Sequence, residues 1–364
     1  MEYRDLVLQA AAGLDSGWHQ QTLLLGFDGF IDEIIQVVDE RENPDRFTRI
    51  QSINAFSERI ARASGLSSNL ELVPLHVKLG GNGPIMANAL KAQEYRIFYI
   101  GSLGKDEINP VFRDFVQGLY RVISLADPGH TDALEFYDGK IMLGKMSSLQ
   151  DVNWDNLIEV ISEQELTGIL SETALIGFTN WTMLIGMNSI IRGFSEIFGR
   201  LSRPPLVFID LADPQKRTRE DILEVLGLIS QLEKQTRVIL GMNKHESSLV
   251  MEVLEKKEEN ITERAMLIRA ILGISAVVIH PVDGAAVATP GLAAWLNGPY
   301  TLTPRLTTGA GDNFNAGFCH AWLCGLSPQE CLAAGVGTSG FYVRNGYSPS
   351  RQELTDFMRR WVSV

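Results

Sequence analysis

Leu306-Thr-Thr-Gly-Ala-Gly-Asp-Asn-Phe-Asn-Ala-Gly-Phe318 is a glycine-rich loop that runs directly into a helical pattern, with Asp312 at the junction. Gly309 and Gly311 carry no Cβ, so the backbone N–H groups around them can approach an anion closely. The unpaired amides and positive dipole end of the following helix attract phosphate. Asp312 then stands beside a phosphate cradle as a candidate base, although an ordinary loop with an Asp N-cap uses the same residue types.

On the N-terminal side of this loop, short apolar runs alternate with longer amphipathic ones. The runs are Leu23–Leu25, Ile97–Ile100, Leu175–Phe178, Leu206–Ile209, Val238–Leu240 and Val277–Ile279. Strands buried on both faces read as continuous apolar runs, and helical connections make them parallel, so the core is an α/β sheet. Helices are expected at 84–94, 109–120, 155–171, 183–201, 218–234, 245–257 and 262–272, then from Asp312 to about Cys324 and from Pro328 to Arg344. Two segments break the pattern. Residues 70–79 alternate, and 134–143 carry the Asp138-Gly139 hairpin signal, so both read as antiparallel strands. Residues 44–66 read as a helix through Phe47, Ile50, Ile53, Phe56 and Ile60.

A chain of 364 residues exceeds the ~250–300 at which one core stops growing, so a large domain with an appendage is expected. A net charge of −12 gives no basic footprint for nucleic acid or an anionic membrane. No apolar run reaches the ~20 residues of a membrane span, and Met1-Glu-Tyr-Arg-Asp5 lacks a signal-peptide layout, so a cytoplasmic protein is expected. Cys319, Cys324 and Cys331 are odd in number and lack metal-site spacing, which suits reduced core residues.

Gly80-Gly81 precedes the 306–318 loop, and Asn243-Lys-His-Glu246 lies between them. In this order the three elements resemble those of the ribokinase-like (phosphofructokinase-B, PfkB) carbohydrate kinases, and the resemblance runs from about Thr22 to Gly346. It implies a three-layer α/β sandwich with a mostly parallel central sheet and a small β-rich lid. The core would comprise 1–32, 80–127 and 147–364, and the lid 33–79 and 128–146, with a homodimer through the lid as one arrangement. The implied activity is ATP-dependent phosphoryl transfer to a hydroxyl of a sugar or sugar-like small molecule. Asp312 would be the general base, and the Gly309, Ala310 and Gly311 amides the anion hole.

Asn243 and Glu246, three apart after the 237–241 strand, share a helix face, a spacing that a capping box also uses. The resemblance gives them water and Mg²⁺ at the nucleotide phosphates, and places Thr308 and Gly284 beside the nucleotide. Asp32 is the family's match for the carboxylate that binds acceptor hydroxyls, with Asp28 as competitor. Gly80, Gly81 and Asn82 complete the acceptor side that the resemblance implies, with Asn88 as the alternative to Asn82 because Ile85 stands where the family often has Asn. Lys216 and Arg217 read as solvated surface charge. Leu306 stands where the family usually has Asp, which leaves a monovalent-cation requirement open. Together with Ile85 and the altered loop at 279–284, it also suggests an alternative: a weak or inactive small-molecule binder on the same fold. A NAD-binding Rossmann site is disfavoured, because 309–314 lack a third glycine and sit near the C-terminus.

Overall fold

The computed structural model describes residues 3–362. Its strands, in chain order, are β1 (Thr22–Gly26), β2 (Phe30–Asn43), β3 (Arg46–Arg49), β4 (Leu72–Gly80), β5 (Arg96–Gly101), β6 (Arg121–Ser124) and β7 (Gly129–Phe136). They continue with β8 (Gly139–Lys145), β9 (Thr173–Phe178), β10 (Leu206–Asp210), β11 (Val238–Met242), β12 (Ala276–Ile279), β13 (Gly284–Thr289) and β14 (Leu292–Asn297). Nine form one sheet in the order β14-β13-β12-β11-β10-β9-β1-β5-β6. All neighbours from β12 to β6 pair in parallel, and β13–β14 close one edge as an antiparallel hairpin.

Side chains alternate across each strand, so one sheet feeds two cores. Leu24, Phe98, Ile176, Val207 and Leu240 pack against the helices Met187–Phe198 and Arg219–Leu232 on one face. Leu23, Ile97, Leu175, Phe208 and Ile239 pack on the other, where Asn82–Ala92, Ala310–Leu323 and Pro328–Asn345 lie. This is the expected helix–sheet–helix sandwich with a mostly parallel sheet. Cys319 and Cys331 are buried in the second core, and all three cysteines are free.

The second sheet runs β3-β2-β7-β8, with β4 also on β2. The helix Ile53–Arg62 covers its far end, where Phe56 joins Ile35, Val37, Ile50, Leu134 and Phe136 in a small core. β2 starts at Phe30, so Asp32 belongs to this lid sheet. It pairs with Lys78 of β4 and Thr131 of β7. Glu33, His130 and Asp132 occupy the alternate face, with Lys145 Nζ 2.8 Å from Asp132 Oδ2.

Several expectations shift. Residues 44–66 are not one helix: Arg46–Arg49 pair with β2, and the helix begins only after Ser52, whose side chain accepts the Ala55 N–H. The helix expected at 155–171 breaks at Ile161, extended at φ −133°, and restarts after the N-cap Ser162. The segment 109–120 shrinks to a 3₁₀ turn and the short helix Arg113–Gln117. Helices at Tyr3–Gly17 and Arg351–Trp361, the β13–β14 hairpin and the 14-residue strand β2 were not anticipated.

Candidate active site

Parallel α/β sheets bind ligands beyond the carboxyl ends of their strands, where the loops converge. Asp28, Asn180, Asp210, Asn243 and His280 each lie at that end, of β1, β9, β10, β11 and β12 respectively. The Thr307–Asp312 loop crosses the same edge and separates two cavities. One, of about 570 Å³, is lined by Asp32, Asn82, Asn180, Glu246, Gly309 and Asp312. The other, of about 320 Å³, is lined by Asn243, Gly284, Tyr300, Ala310, Gly311 and Phe314, among others. The first is rich in carboxylates and amides. The second is mostly apolar and suits a planar heterocycle.

Asp312 sits in the first turn of Ala310–Leu323, 6% exposed, and its Oδ1 accepts a 2.9 Å hydrogen bond from Asn82 Nδ2. Burial, reinforced by the negative charge of Asp210, raises its pKa well above the usual carboxylate range. Gly309 has φ +88°, a conformation glycine adopts without strain, and serves as the helix N-cap. The amides of Gly309, Gly311 and Asp312 have no acceptor among the described residues, whereas Ala310 N–H already donates to Thr307 O at 3.1 Å. Ala310 therefore differs from the other expected anion-hole donors: its amide closes the turn.

Asn243 and Glu246 form a reciprocal capping box. Glu246 N donates to Asn243 Oδ1 at 2.9 Å, and Asn243 N donates to Glu246 Oε2 at 2.7 Å. Glu246 Oε1 also accepts Asp213 N at 3.0 Å. Each carboxylate oxygen retains a lone pair. The cap places Glu246 on the carboxylate-rich cavity and Asn243 on the apolar one. Asp210 is buried beside them, held by Ala212 N and Asn315 Nδ2, and burial together with Glu246's charge raises its pKa.

The two N-terminal carboxylates separate clearly. Asp28 is fully buried and does not line the larger cavity. Its oxygens accept the N–H groups of Asn82 (2.9 Å) and Gly83 (2.8 Å) and Asn180 Nδ2 (2.6 Å), and burial lifts its pKa to about 6. It caps the helix Asn82–Ala92. Asp32 faces the cavity instead, hydrogen-bonded to Thr131. A Cβ on Gly80 would lie 2.5 Å from the Asp32 carboxylate, so glycine there permits their close approach. Gly81 and Asn82 line the cavity, but Gly80 acts through Asp32. Thr308, expected beside the nucleotide, lies on the larger cavity, and Thr307 takes the place on the smaller one.

Three residues of this site carried no motif. Asn180, at φ +57° after β9, holds Asp28 and leaves Oδ1 without a partner among the described residues; its place past a parallel strand was the available signal. Thr131 is brought in by strand pairing alone. Lys216 lines the larger cavity as the single basic side chain doing so, while its side chain stays half exposed beside Asp213, as expected of solvated charge.

A curated ketohexokinase of Haloferax volcanii is 29% identical over 348 residues, covering 92% of this chain and 90% of the relative. Among solved structures, an adenosine kinase from Sinorhizobium meliloti superposes with TM-score 0.68 at 16% identity, covering 93% of this chain and 98% of that one. A ribokinase from Arabidopsis thaliana complexed with ribose and ATP gives TM-score 0.65 at 17% identity, with 93% and 98% covered. These two establish the ribokinase-like fold. The family model for prokaryotic ketohexokinase matches residues 2–361, nearly the entire chain. A glycine-rich loop between two cavities, a lid sheet over one of them and this end-to-end match agree: the chain belongs to the prokaryotic ketohexokinase family and is a carbohydrate kinase.

Proposed function

We propose that the protein transfers the γ-phosphoryl group of ATP to a hydroxyl of a ketohexose, with Asp312 as general base. The observation that carries this reading is the Gly309–Asp312 turn, which borders both cavities and has amides without acceptors. The ketohexose would occupy the larger cavity under the lid, its hydroxyls bound by Asp32 and Asn180. The adenine and ribose would occupy the smaller one, beside Gly284 and Phe314. Asp312 takes the acceptor proton as the phosphoryl group approaches from the opposite side. The amides of Gly309, Gly311 and Asp312 receive charge that grows on its oxygens. The family's known relatives support the sugar acceptor, and the intact Asp312 disfavours the inactive-binder alternative.

Burial raises the pKa of all three carboxylates, and the charges of Asp210 and Glu246 add to the rise at Asp312 as that of Glu246 does at Asp210; Asp210, Glu246 and Asp312 make a hard-oxygen set that fits Mg²⁺. Asn243 and Glu246 would hold it through water, and when bound it supplies positive charge against the phosphates. Among the described residues no helix is long and apolar enough to cross a membrane. A cytoplasmic enzyme is part of this proposal. So is a homodimer through the lid, whose β4 and β8 expose Leu75, Val77 and Leu143.

ADP release measured with D-fructose, D-ribose, a sugar acid and adenosine as acceptors tests the reading. D-fructose should give the highest kcat/KM. A preference for ribose or adenosine would overturn the ketohexose assignment, and ADP release with none of the four would overturn the activity.

A further inference from the structure

We propose that Tyr342 is a positioning residue for phosphoryl transfer, its hydroxyl orienting the Gly309 amide toward the transferring group. This rests on the assignment of the Gly309–Asp312 amides to that group. Tyr342 lies in the last turn of the helix Pro328–Asn345, and its hydroxyl donates to the Thr308 carbonyl over 2.9 Å. The Thr308 carbonyl and the Gly309 N–H share one planar trans peptide, so they point in opposite directions. Holding the carbonyl on Tyr342 therefore turns the N–H away from Tyr342. Thr308, Gly309 and Asp312 line the larger cavity and Tyr342 does not, so an N–H turned away from Tyr342 is, on this proposal, turned to the cavity.

The same helical turn fixes the start of the loop. The Val343 carbonyl accepts Arg305 N at 2.8 Å and Leu306 N at 3.3 Å. Loop and hydroxyl are fitted to each other, since a Cβ on Gly309 would lie 2.9 Å from the Tyr342 oxygen. Burial and then the charge of Asp312 push the Tyr342 pKa up to about 12, so the hydroxyl keeps the proton it donates. Asn313 Nδ2 holds the Gly309 carbonyl at 2.9 Å, so the carbonyls of both peptides flanking Gly309 are held while its N–H has no acceptor among the described residues.

Tyr342→Phe removes one oxygen and keeps the ring. With saturating ATP and D-fructose, kcat should fall about 10- to 100-fold, less than the ~10²–10³ of deleting such a donor outright. Both KM values should stay within about twofold and Tm within a few degrees. In the presence of D-fructose, binding of ADP with aluminium fluoride, a mimic of the transferring group, should weaken by a similar factor, while a non-hydrolysable ATP analogue binds as before. Gly309→Ala, which presses a methyl group on the same hydroxyl, should reproduce the kcat-selective loss. Unchanged kcat in Tyr342→Phe, or equal weakening of both nucleotide probes, would overturn the proposal; the latter is the mark of a loosened loop. Asp312→Asn measured alongside separates the two levels. If it too keeps full turnover, the loop's assignment to the chemistry fails, whereas an inactive Asp312→Asn beside a fully active Tyr342→Phe overturns Tyr342 alone.

Discussion

In the large sheet β10 and β11 are buried along their whole length, whereas β4 and β8 of the lid leave most of their residues exposed. The proposed chemical groups hang from the first. Asp210 ends β10, Asn243 follows β11, and Asp312 is fixed by Asn82 at the end of a helix packed on the core. The lid sheet supplies Asp32 and Thr131 on one face of two paired strands. Few buried contacts mean low local stability, which suits an element that must open for an acceptor and close to exclude water. Under the proposed function the contrast is a division of labour, in which the rigid sheet would fix the transfer geometry and the looser one would read the acceptor.

Substitutions can break this division. The largest effect is expected for Asp312→Asn, which should lower kcat by about 10²–10⁴ while leaving nucleotide and acceptor binding near normal. Near-normal turnover would remove the core loop from the chemistry. Glu246→Gln should move the Mg²⁺ dependence about tenfold upward without altering acceptor KM, the range expected for a ligand reached through water. Superimposable metal titrations would leave Glu246 as a helix cap only.

Asp28→Ala should act on stability. It strips partners from the half-buried Asn82 amide, the buried Gly83 amide and Asn180, at a cost of about 3 kcal/mol or more. A Tm unchanged by calorimetry would contradict the capping role. The pH dependence follows from the same group. Asp28 holds its proton to about pH 6 when folded, against about 4 unfolded. Folding therefore favours proton binding, and this contribution is lost as pH rises from about 4 through 6. Denaturant titrations should show that decline, and Asp28→Asn should flatten it. The smallest effect is expected for Asn82→Ala, which deletes the hydrogen bond that lowers the Asp312 pKa. The acid limb of kcat should move to higher pH, because the base must be ionised; an unmoved limb would mean another group sets it.

The same contrast governs how much could be read in the sequence. Core strands were legible because burial on both faces leaves nearly continuous apolar runs. β2 was not, because its register on β4 shifts between Ile34 and Ile35, which breaks the period-two pattern of Phe30-Ile-Asp-Glu-Ile-Ile-Gln-Val-Val38. Ile161 hid a helix break inside an amphipathic stretch, although Ser162-Glu-Gln-Glu165 carries the cap signal. Within the site, glycine-rich and capping motifs are local and announce themselves. Asn180, Thr131 and Tyr342 arrive by topology, from positions far from the loop in sequence, and no local pattern marks them.

Steady-state kinetics of Asp32→Ala beside Asp312→Asn, with D-fructose and ATP, tests the division most directly. The account predicts that Asp32→Ala raises acceptor KM by about 10- to 100-fold, the loss of charged hydrogen bonds, with ATP KM unchanged. Asp312→Asn should lower kcat with both KM values nearly unchanged. If both variants lose the same parameter, or if Asp32→Ala leaves acceptor KM at the wild-type value, the lid does not read the acceptor and the account is wrong.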